Sequence, residues 1–391
     1  MKFEKERNSL FVFPEGNINS STVAQVESEI FGIAEKQTFK KLILDFSNVK
    51  YISSAGLRMV LKLKQQFGDV SIIEAPLEVY DTLSMTGFTE LMDIRKALRK
   101  IDISNAEVVG DGYFSTVYRI DKDTIVKVFN RTSDPNQIER ELKLAKQAFI
   151  LRIPTAISFD IVRVGNKLGV CFEMLDCASL KTIVSKHPDK AKEYLQKYVD
   201  LLKKINTTEC VSNDIPKMKD IYKKKIELIK PYIGDKYYEK TMEILENIED
   251  CDTFIHGDCH FKNIMVQNDE LLLIDMDTLS VGDPIFEFAQ LYAPYVAFDE
   301  DDPGNCKRFF GIEGKQAQAL YYALLKGYTG KEDPILIDKI KIFAYIHMVW
   351  WNRVNEPENN VRLEGCKGRL LSILDKYDDL DILKNENLRA I

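Results

Sequence analysis

The chemistry-bearing stretch of the chain is Ile255-His256-Gly257-Asp258-Cys259-His260-Phe261-Lys262-Asn263-Ile264-Met265, followed by Leu272-Leu273-Ile274-Asp275-Met276-Asp277. It gathers two of the four histidines and a set of oxygen-bearing side chains, framed by apolar strand-like runs. If the loop turns back, Asp258, Asn263 and Asp275 converge. Such oxygens suit Mg²⁺, which takes few protein ligands and leaves coordination positions for phosphate. One carboxylate then stays available to accept a proton from a hydroxyl nucleophile. A lone acidic loop is more often solvated surface; an Asp and an Asn between strongly apolar strands are harder to dismiss.

Upstream lies Val109-Gly110-Asp111-Gly112-Tyr113-Phe114-Ser115-Thr116-Val117-Tyr118, a glycine-bearing turn between two strands. Glycines let backbone approach phosphates closely, although a plain hairpin turn is the commoner use of such a sequence. Lys127 follows inside the apolar strand Ile125-Val126-Lys127-Val128-Phe129. A lysine there needs a counter-charge or an exposed face. Glu141, on a helix expected over about 136–149, is the candidate partner; the alternative is an edge-strand lysine in a weak surface ion pair.

These pieces stand in the order glycine loop, strand lysine, helix glutamate, Asp…Asn loop, metal aspartate. Residues 105–391 thereby resemble the aminoglycoside phosphotransferase and choline kinase superfamily, a branch of the protein-kinase-like fold. The matching strings are His256-Gly257-Asp258-x-His260-x-x-Asn263, Ile274-Asp275-x-Asp277 and Gly282-Asp283-Pro284-x-x-Glu287-x-Ala289. The resemblance implies a bilobal α+β domain with lobes of about 105–175 and 176–391. It implies ATP and Mg²⁺ as cofactors, with Asp258 as catalytic base and Asn263 and Asp275 on the metal. The nucleotide would be held by Gly110, Gly112, Ser115, Lys127 and its partner Glu141. Glu173-Met174-Leu175 would be the hinge beside adenine. Ser115 replaces the third glycine of the protein-kinase pattern. Gly282-Asp283-Pro284 is expected to buttress a helix start, and His256 and His260 to orient or pack, since Mg²⁺ prefers oxygen. The implied reaction moves the γ-phosphoryl group of ATP to a hydroxyl of a small acceptor, mainly by positioning and charge neutralisation. Asp299-Glu300-Asp301-Asp302 could draw in a cationic acceptor, although a solvated acidic loop is the commoner outcome. Trp350-Trp351 could stack a sugar or contact a quaternary ammonium; core packing is the expectation.

The first hundred residues read differently. Leu10–Phe13 is strand-like and ends at a Pro14-Glu15-Gly16 turn signal; Val23, Val26, Ile30 and Ile33 recur at helical spacing behind Ser20, Ser21 and Thr22. Leu42-Ile43-Leu44 is a buried-type strand. After Ser53-Ser54 a helix is expected to turn Leu57, Val60, Leu61 and Leu63 inward, followed by a strand over 70–73 and a helix over 77–83. Such alternation implies an α/β sandwich. A serine at a strand-to-helix junction usually caps the helix, and the same place favours a phosphate. Leu42-Ile43-Leu44-Asp45-Phe46-Ser47 with Tyr51-Ile52-Ser53-Ser54-Ala55-Gly56-Leu57 resembles the STAS family of anti-sigma factor antagonists over residues 1–100. In that family a serine before x-Gly-Leu is phosphorylated and controls partner binding. Ser54 matches it, and Ser53 stands where Asp is usual. The resemblance implies a protein partner. A signalling protein whose kinase-like part senses nucleotide or phosphorylates a protein, Ser54 included, is the alternative reading.

The frame fits two such domains joined by a basic-then-polar linker over 95–105. The chain has 391 residues, 45% hydrophobic and 29% charged, with a net charge of −7. That excludes a disordered or collagenous chain and argues against a dedicated nucleic-acid binder. Seven cysteines without a Cys-x-x-Cys pair argue against a disulfide framework or zinc knuckle. Neither a signal peptide nor a membrane span is expected, which suggests a cytoplasmic protein.

Overall fold

The computed structural model describes residues 1–112, 115–130, 135–175, 177–210, 215–384 and 388. The chain divides into two compact units, one of Met1–Asp102 with Val162–Asn166, the other of Ile103–Ile161 with Lys167–Ile391. Among the described residues no helix is long and apolar enough to cross a membrane. Five of the seven cysteines are buried.

The smaller unit runs β1 (Lys2–Glu6), β2 (Ser9–Phe13), β3 (Glu15–Ile18), α1 (Val23–Ala34), β4 (Lys41–Asp45), β5 (Asn48–Ile52), α2 (Ser54–Phe67), β6 (Val70–Ala75), α3 (Leu77–Met85), α4 (Phe88–Leu91) and β7 (Ile94–Lys96). Its main sheet has the order β1-β2-β4-β6-β7. β2, β4, β6 and β7 are parallel, and β1 closes one edge as an antiparallel hairpin arm. Alternation works as strand geometry demands: Leu10 and Val12 of β2 and Leu42 and Leu44 of β4 are wholly buried, and the residues between them are not.

Three expectations need correcting here. Pro14-Glu15-Gly16 does not end in a turn: Glu15 begins β3, which pairs in parallel with β5. The α2 core face is Gly56, Met59, Val60 and Leu63, while Leu61 is 37% exposed, because 3.6-residue spacing carries it off that face. The linker holds structure of its own, β7 and a two-residue strand Arg99–Lys100.

Gly56 explains part of the Ser-Ser-Ala-Gly-Leu string. A Cβ there would lie 2.7 Å from Ile52 Cγ1 and 2.8 Å from the Ile18 carbonyl oxygen. Only glycine lets α2 sit this close to β3 and β5. Ser53 is the residue before α2 and is extended, but makes no side-chain cap bond. Ser54 is exposed in the first turn.

The larger unit opens with an antiparallel array whose strand order is Lys167–Glu173, Thr124–Phe129, Ser115–Arg119, Glu107–Asp111. Lys127 lies opposite Val117 on one side and Val170 on the other, so its strand is central. The edge-strand alternative is thereby removed. The amphipathic helix Pro135–Ile150 carries Glu141. Beyond residue 180 the unit is mainly helical, its core built by Ala191–Thr207, Met218–Ile233, Ile285–Tyr292, Gly314–Thr329 and Pro334–Asn355. Short strands Ile264–Gln267 and Glu270–Leu273 pair as a hairpin at its front. A strand-rich lobe followed by a helical lobe is the bilobal α+β arrangement of the protein-kinase-like fold.

Candidate active site

Lys127 is the hinge-point of the charge arrangement. Its Nζ donates to Glu141 Oε1 at 2.7 Å and to Asp275 Oδ1 at 2.7 Å. The Glu141 bond is the one expected; the Asp275 bond links residues 148 apart in sequence and carries no local signal. Burial works against the ammonium, but the Asp275 and Glu141 carboxylates outweigh it and hold its pKa above the ordinary lysine value. Burial likewise opposes the Asp275 carboxylate, and Lys127 outweighs it, leaving Asp275 below its usual range. Asp275 also adopts a left-handed backbone with φ +68°. Non-glycine residues in that region cluster at functional sites.

The loop His256–Asn263 is held from many directions. Glu287, wholly buried, accepts the amides of His256 (2.7 Å) and Gly257 (3.1 Å) on its two carboxylate oxygens. Thr278 Oγ1 donates to the His256 carbonyl at 2.7 Å. Gly257 has φ +80°, and a Cβ on it would stand 3.0 Å from the Thr278 carbonyl oxygen, so glycine is required there twice over. Tyr198 donates its hydroxyl to the Cys259 carbonyl, and Tyr295 accepts the Phe261 amide at 2.9 Å. Tyr295 lies in a π-helical segment, Ala293–Ala297, a geometry often found at functional sites.

His256 orients. Its Nδ1 accepts the Asp258 amide at 3.2 Å, so Nε2 carries the proton and faces the Ile274 carbonyl at 3.2 Å. Burial lowers its pKa to about 4, which keeps it neutral. The ring thus ties the Asp258 loop to the strand end that delivers Asp275. His260 is buried edge-on against Phe309 and Phe310, with Nε2 3.5 Å from Asp258 Oδ1. Asn263 spends its amide nitrogen on Asp258, donating to the main-chain oxygen at 3.0 Å and to Oδ2 at 2.9 Å. Its side-chain oxygen is left as the donor atom. Enclosure first, and Asp275 second, push the Asp258 carboxyl above the usual range, although the side chain keeps 40% exposure. Asp277 is pushed up by the same two causes.

The donor set fits Mg²⁺. Asn263 and Asp275 offer hard oxygens, and both nitrogens of His256 are committed within the protein. Among the described residues no group of three or more His, Cys, Asp or Glu side chains could hold an ion unaided. A metal here would take its remaining ligands from phosphate or water, as Mg²⁺ does.

Other expected residues fall as follows. Gly110 and Gly112 lie on the first hairpin, and the Gly112 amide donates to the Ser115 carbonyl at 2.9 Å. Tyr113 and Phe114 lie outside the described residues. Glu173 ends its strand with Oε1 accepting the Ile157 amide at 2.7 Å, and the Met174 amide donates to the Asp123 carbonyl. The Glu173 side chain and the Glu173 and Met174 amides are therefore used inside the fold, while Leu175 is 8% exposed behind them. Asp283 Oδ1 accepts the Ile285 amide at 2.8 Å, buttressing the helix start.

The acidic run is not a solvated loop. Arg369 bonds Asp301 at 2.7 and 2.8 Å, and its Nε lies 3.3 Å from Glu300. Tyr345 donates to Glu300 at 2.7 Å, Arg308 pairs with Asp302, and Asp299 accepts the amides of Gly304 and Cys306. Trp351 packs edge-on against Phe298, and Trp350 lies under the Lys225 ammonium at 4.9 Å.

Two family models match the chain. Residues 105–321 match the Phosphotransferase enzyme family, and residues 1–101 match the STAS domain. The putative anti-sigma factor antagonist BtrV of Bordetella bronchiseptica is 29% identical over 98 residues, covering 24% of this chain and 84% of that protein. The gentamicin complex of APH(2")-IIa is similar at 16% identity and TM-score 0.46, covering 78% of this chain and 98% of that one. ADP-bound aminoglycoside phosphotransferase APH(2'')-Ib is similar at 16% identity and TM-score 0.44, covering 69% and 94%. The chain belongs to the phosphotransferase enzyme family, carrying a STAS domain ahead of its kinase-like domain.

Proposed function

We propose that this chain transfers the γ-phosphoryl group of ATP to a hydroxyl of a small-molecule acceptor, under the control of its STAS domain. In this reading the transferase spans residues 105–391, with lobes meeting near residue 175, and the regulatory domain spans residues 1–100. The observation that carries it is Lys127 bonded to both Glu141 and Asp275, next to a loop that fixes Asp258 and Asn263.

Lys127 would neutralise nucleotide phosphates, with Glu141 holding its ammonium in place. Gly110, Gly112 and Ser115 would bring backbone to the phosphates. The main chain of Glu173 and Leu175 would meet the adenine. Asn263 and Asp275 would hold Mg²⁺, which when bound neutralises phosphate charge. Asp258 would align the acceptor hydroxyl and take its proton, a task helped by a carboxyl raised toward neutral pH. Steady-state ATP consumption with amino alcohols, sugars and aminoglycosides, compared with Asp258→Asn, tests this. Turnover with one acceptor class that falls at least about a thousandfold in the variant is expected; turnover indifferent to Asp258 counts against it.

A second reading makes a protein the acceptor. Ser54, exposed in the first turn of the fourteen-residue helix α2, favours it, since backbone donors and the helix dipole there stabilise a phosphate. Intact mass after incubation with Mg-ATP, with Ser54→Ala as control, decides. A mass gain that survives the substitution removes Ser54.

A further inference from the structure

The acidic run that the sequence offers to a cationic acceptor is spent on Arg308, Arg369, Tyr345 and backbone amides. Beside Asp258, on the side of the loop that carries Lys262, there is positive charge as well. Lys262, in the same loop, is half-buried and lays its Nζ 4.1 Å from the centre of the Phe309 ring. Phe309 is 39% exposed, and its ring stands 5.3 Å from that of His260, whose Nε2 is 3.5 Å from Asp258 Oδ1. A contiguous path thus runs from Lys262 across Phe309 and His260 to the proposed base.

Lys181 joins from the helix Leu180–Lys186, whose main chain is tied to the loop: the Lys181 amide donates to the Phe261 carbonyl at 3.3 Å. Its Nζ comes within 3.3 Å of where a Cβ on Gly311 would stand, so it reaches over the end of the helix that carries Phe309. Among the described residues neither ammonium has a carboxylate within ion-pair distance. The Asp258 carboxylate opposes the Lys262 charge only from beyond contact distance, and Lys181 raises the positive charge there further; two half-buried lysines side by side are unfavourable alone and become favourable around an anion.

We propose that the acceptor is itself an anion, a small hydroxyl compound whose carboxylate or phosphate group is held by Lys181 and Lys262 beside Phe309. This rests on the phosphotransfer reading above. The acceptor oxygen forms the new bond to the γ-phosphorus. The bond from that phosphorus to the β–γ bridging oxygen breaks, and ADP leaves with the electron pair. The hydroxyl proton passes to the Asp258 carboxylate. A polycationic acceptor meets two lysines and finds every carboxylate of the acidic run already paired.

The test is phosphoryl transfer by the full chain with Mg-ATP to four matched compounds: glycerate, glycerol phosphate, glycerol and an amino-propanediol. One of the two anions is expected to exceed the neutral and cationic members in kcat/KM by about tenfold or more. Which anion leads separates a carboxylate from a phosphate. Lys181→Gln and Lys262→Gln are each expected to raise the acceptor KM about tenfold while the KM for ATP holds. Lys181→Arg, which keeps the charge, restores the acceptor KM and guards against a folding defect. Preference for glycerol or the amino-propanediol, with Asp258-dependent transfer intact, overturns the anionic acceptor and leaves phosphotransfer standing. A rise in the KM for ATP alone assigns the lysines to the nucleotide and overturns it too. Transfer to none of the four overturns the proposal, and Asp258-dependent turnover with other acceptors then decides whether phosphotransfer survives.

Discussion

Replacing Glu287 with alanine should damage the proposed catalytic loop without touching a reacting atom. The Glu287 carboxylate is wholly buried and accepts two amides, those of His256 and Gly257, immediately before Asp258. Alanine strands both donors in the core. Each buried unpaired donor costs about 1–3 kcal/mol, so the pair costs about 2–6 kcal/mol before any cavity is counted. At roughly 2–3 °C per kcal/mol, calorimetry should find the larger unit's transition lowered by about 4–18 °C. The freed loop should let Asp258 drift, and a misplacement of about 1 Å costs on the order of a hundredfold in rate. The KM for ATP should change much less, because Lys127 and Glu141 are anchored elsewhere. Glu287→Gln adds a pH test. Burial raises the Glu287 pKa from 4.5 to about 7, so the folded chain keeps a proton that the unfolded chain loses between those values. That contribution is complete below the unfolded value and is lost as pH rises through about 7; it amounts to about 3 kcal/mol. Wild-type stability should therefore fall more steeply than that of Glu287→Gln between about pH 5 and 8. An alanine variant with unchanged melting and unchanged kcat would refute the reasoning.

Lys127→Met leaves Glu141 and Asp275 with no shared cation; breaking such a buried arrangement costs about 3–5 kcal/mol. Denaturant midpoints should fall, and titration with Mg-ATP should show affinity weakened at least about tenfold; unchanged affinity would contradict the assigned role. Gly56→Ala forces a Cβ to within 2.8 Å of the Ile18 carbonyl oxygen. Overpacking of this kind costs about 1–3 kcal/mol, and hydrogen exchange of β4 amides should accelerate accordingly while the larger unit is unaffected.

Much of the site was readable because its chemistry is written in local strings. A lysine inside Ile-Val-Lys-Val-Phe demands a carboxylate, and Glu141 supplies it at the first helix after the strand. Asp258 and Asn263 are five residues apart on one loop, so their bond is a local event. What could not be read is what joins distant elements. The Lys127–Asp275 bond, the hold of Glu287 on His256 and Gly257, and the Tyr198 and Tyr295 bonds to the loop depend on tertiary packing. Glu287 alone had a signal, its place in Gly-Asp-Pro-x-x-Glu. The acidic run failed for the same reason: composition makes it solvated surface, but Arg369 lies on a helix that begins more than fifty residues later. In the smaller unit, β3 exists only because β5 pairs with it, and no propensity of Glu15-Gly16-Asn17-Ile18 announces that.

The most direct test of the account follows the phosphorus itself. Phosphorus NMR of the full chain with Mg-ATP and an accepted hydroxyl compound should show the γ resonance replaced by one phosphate ester, in step with ADP, and no such signal with Asp258→Asn. An ester formed equally by Asp258→Asn, or ATP converted only to ADP and inorganic phosphate with every acceptor, would contradict it.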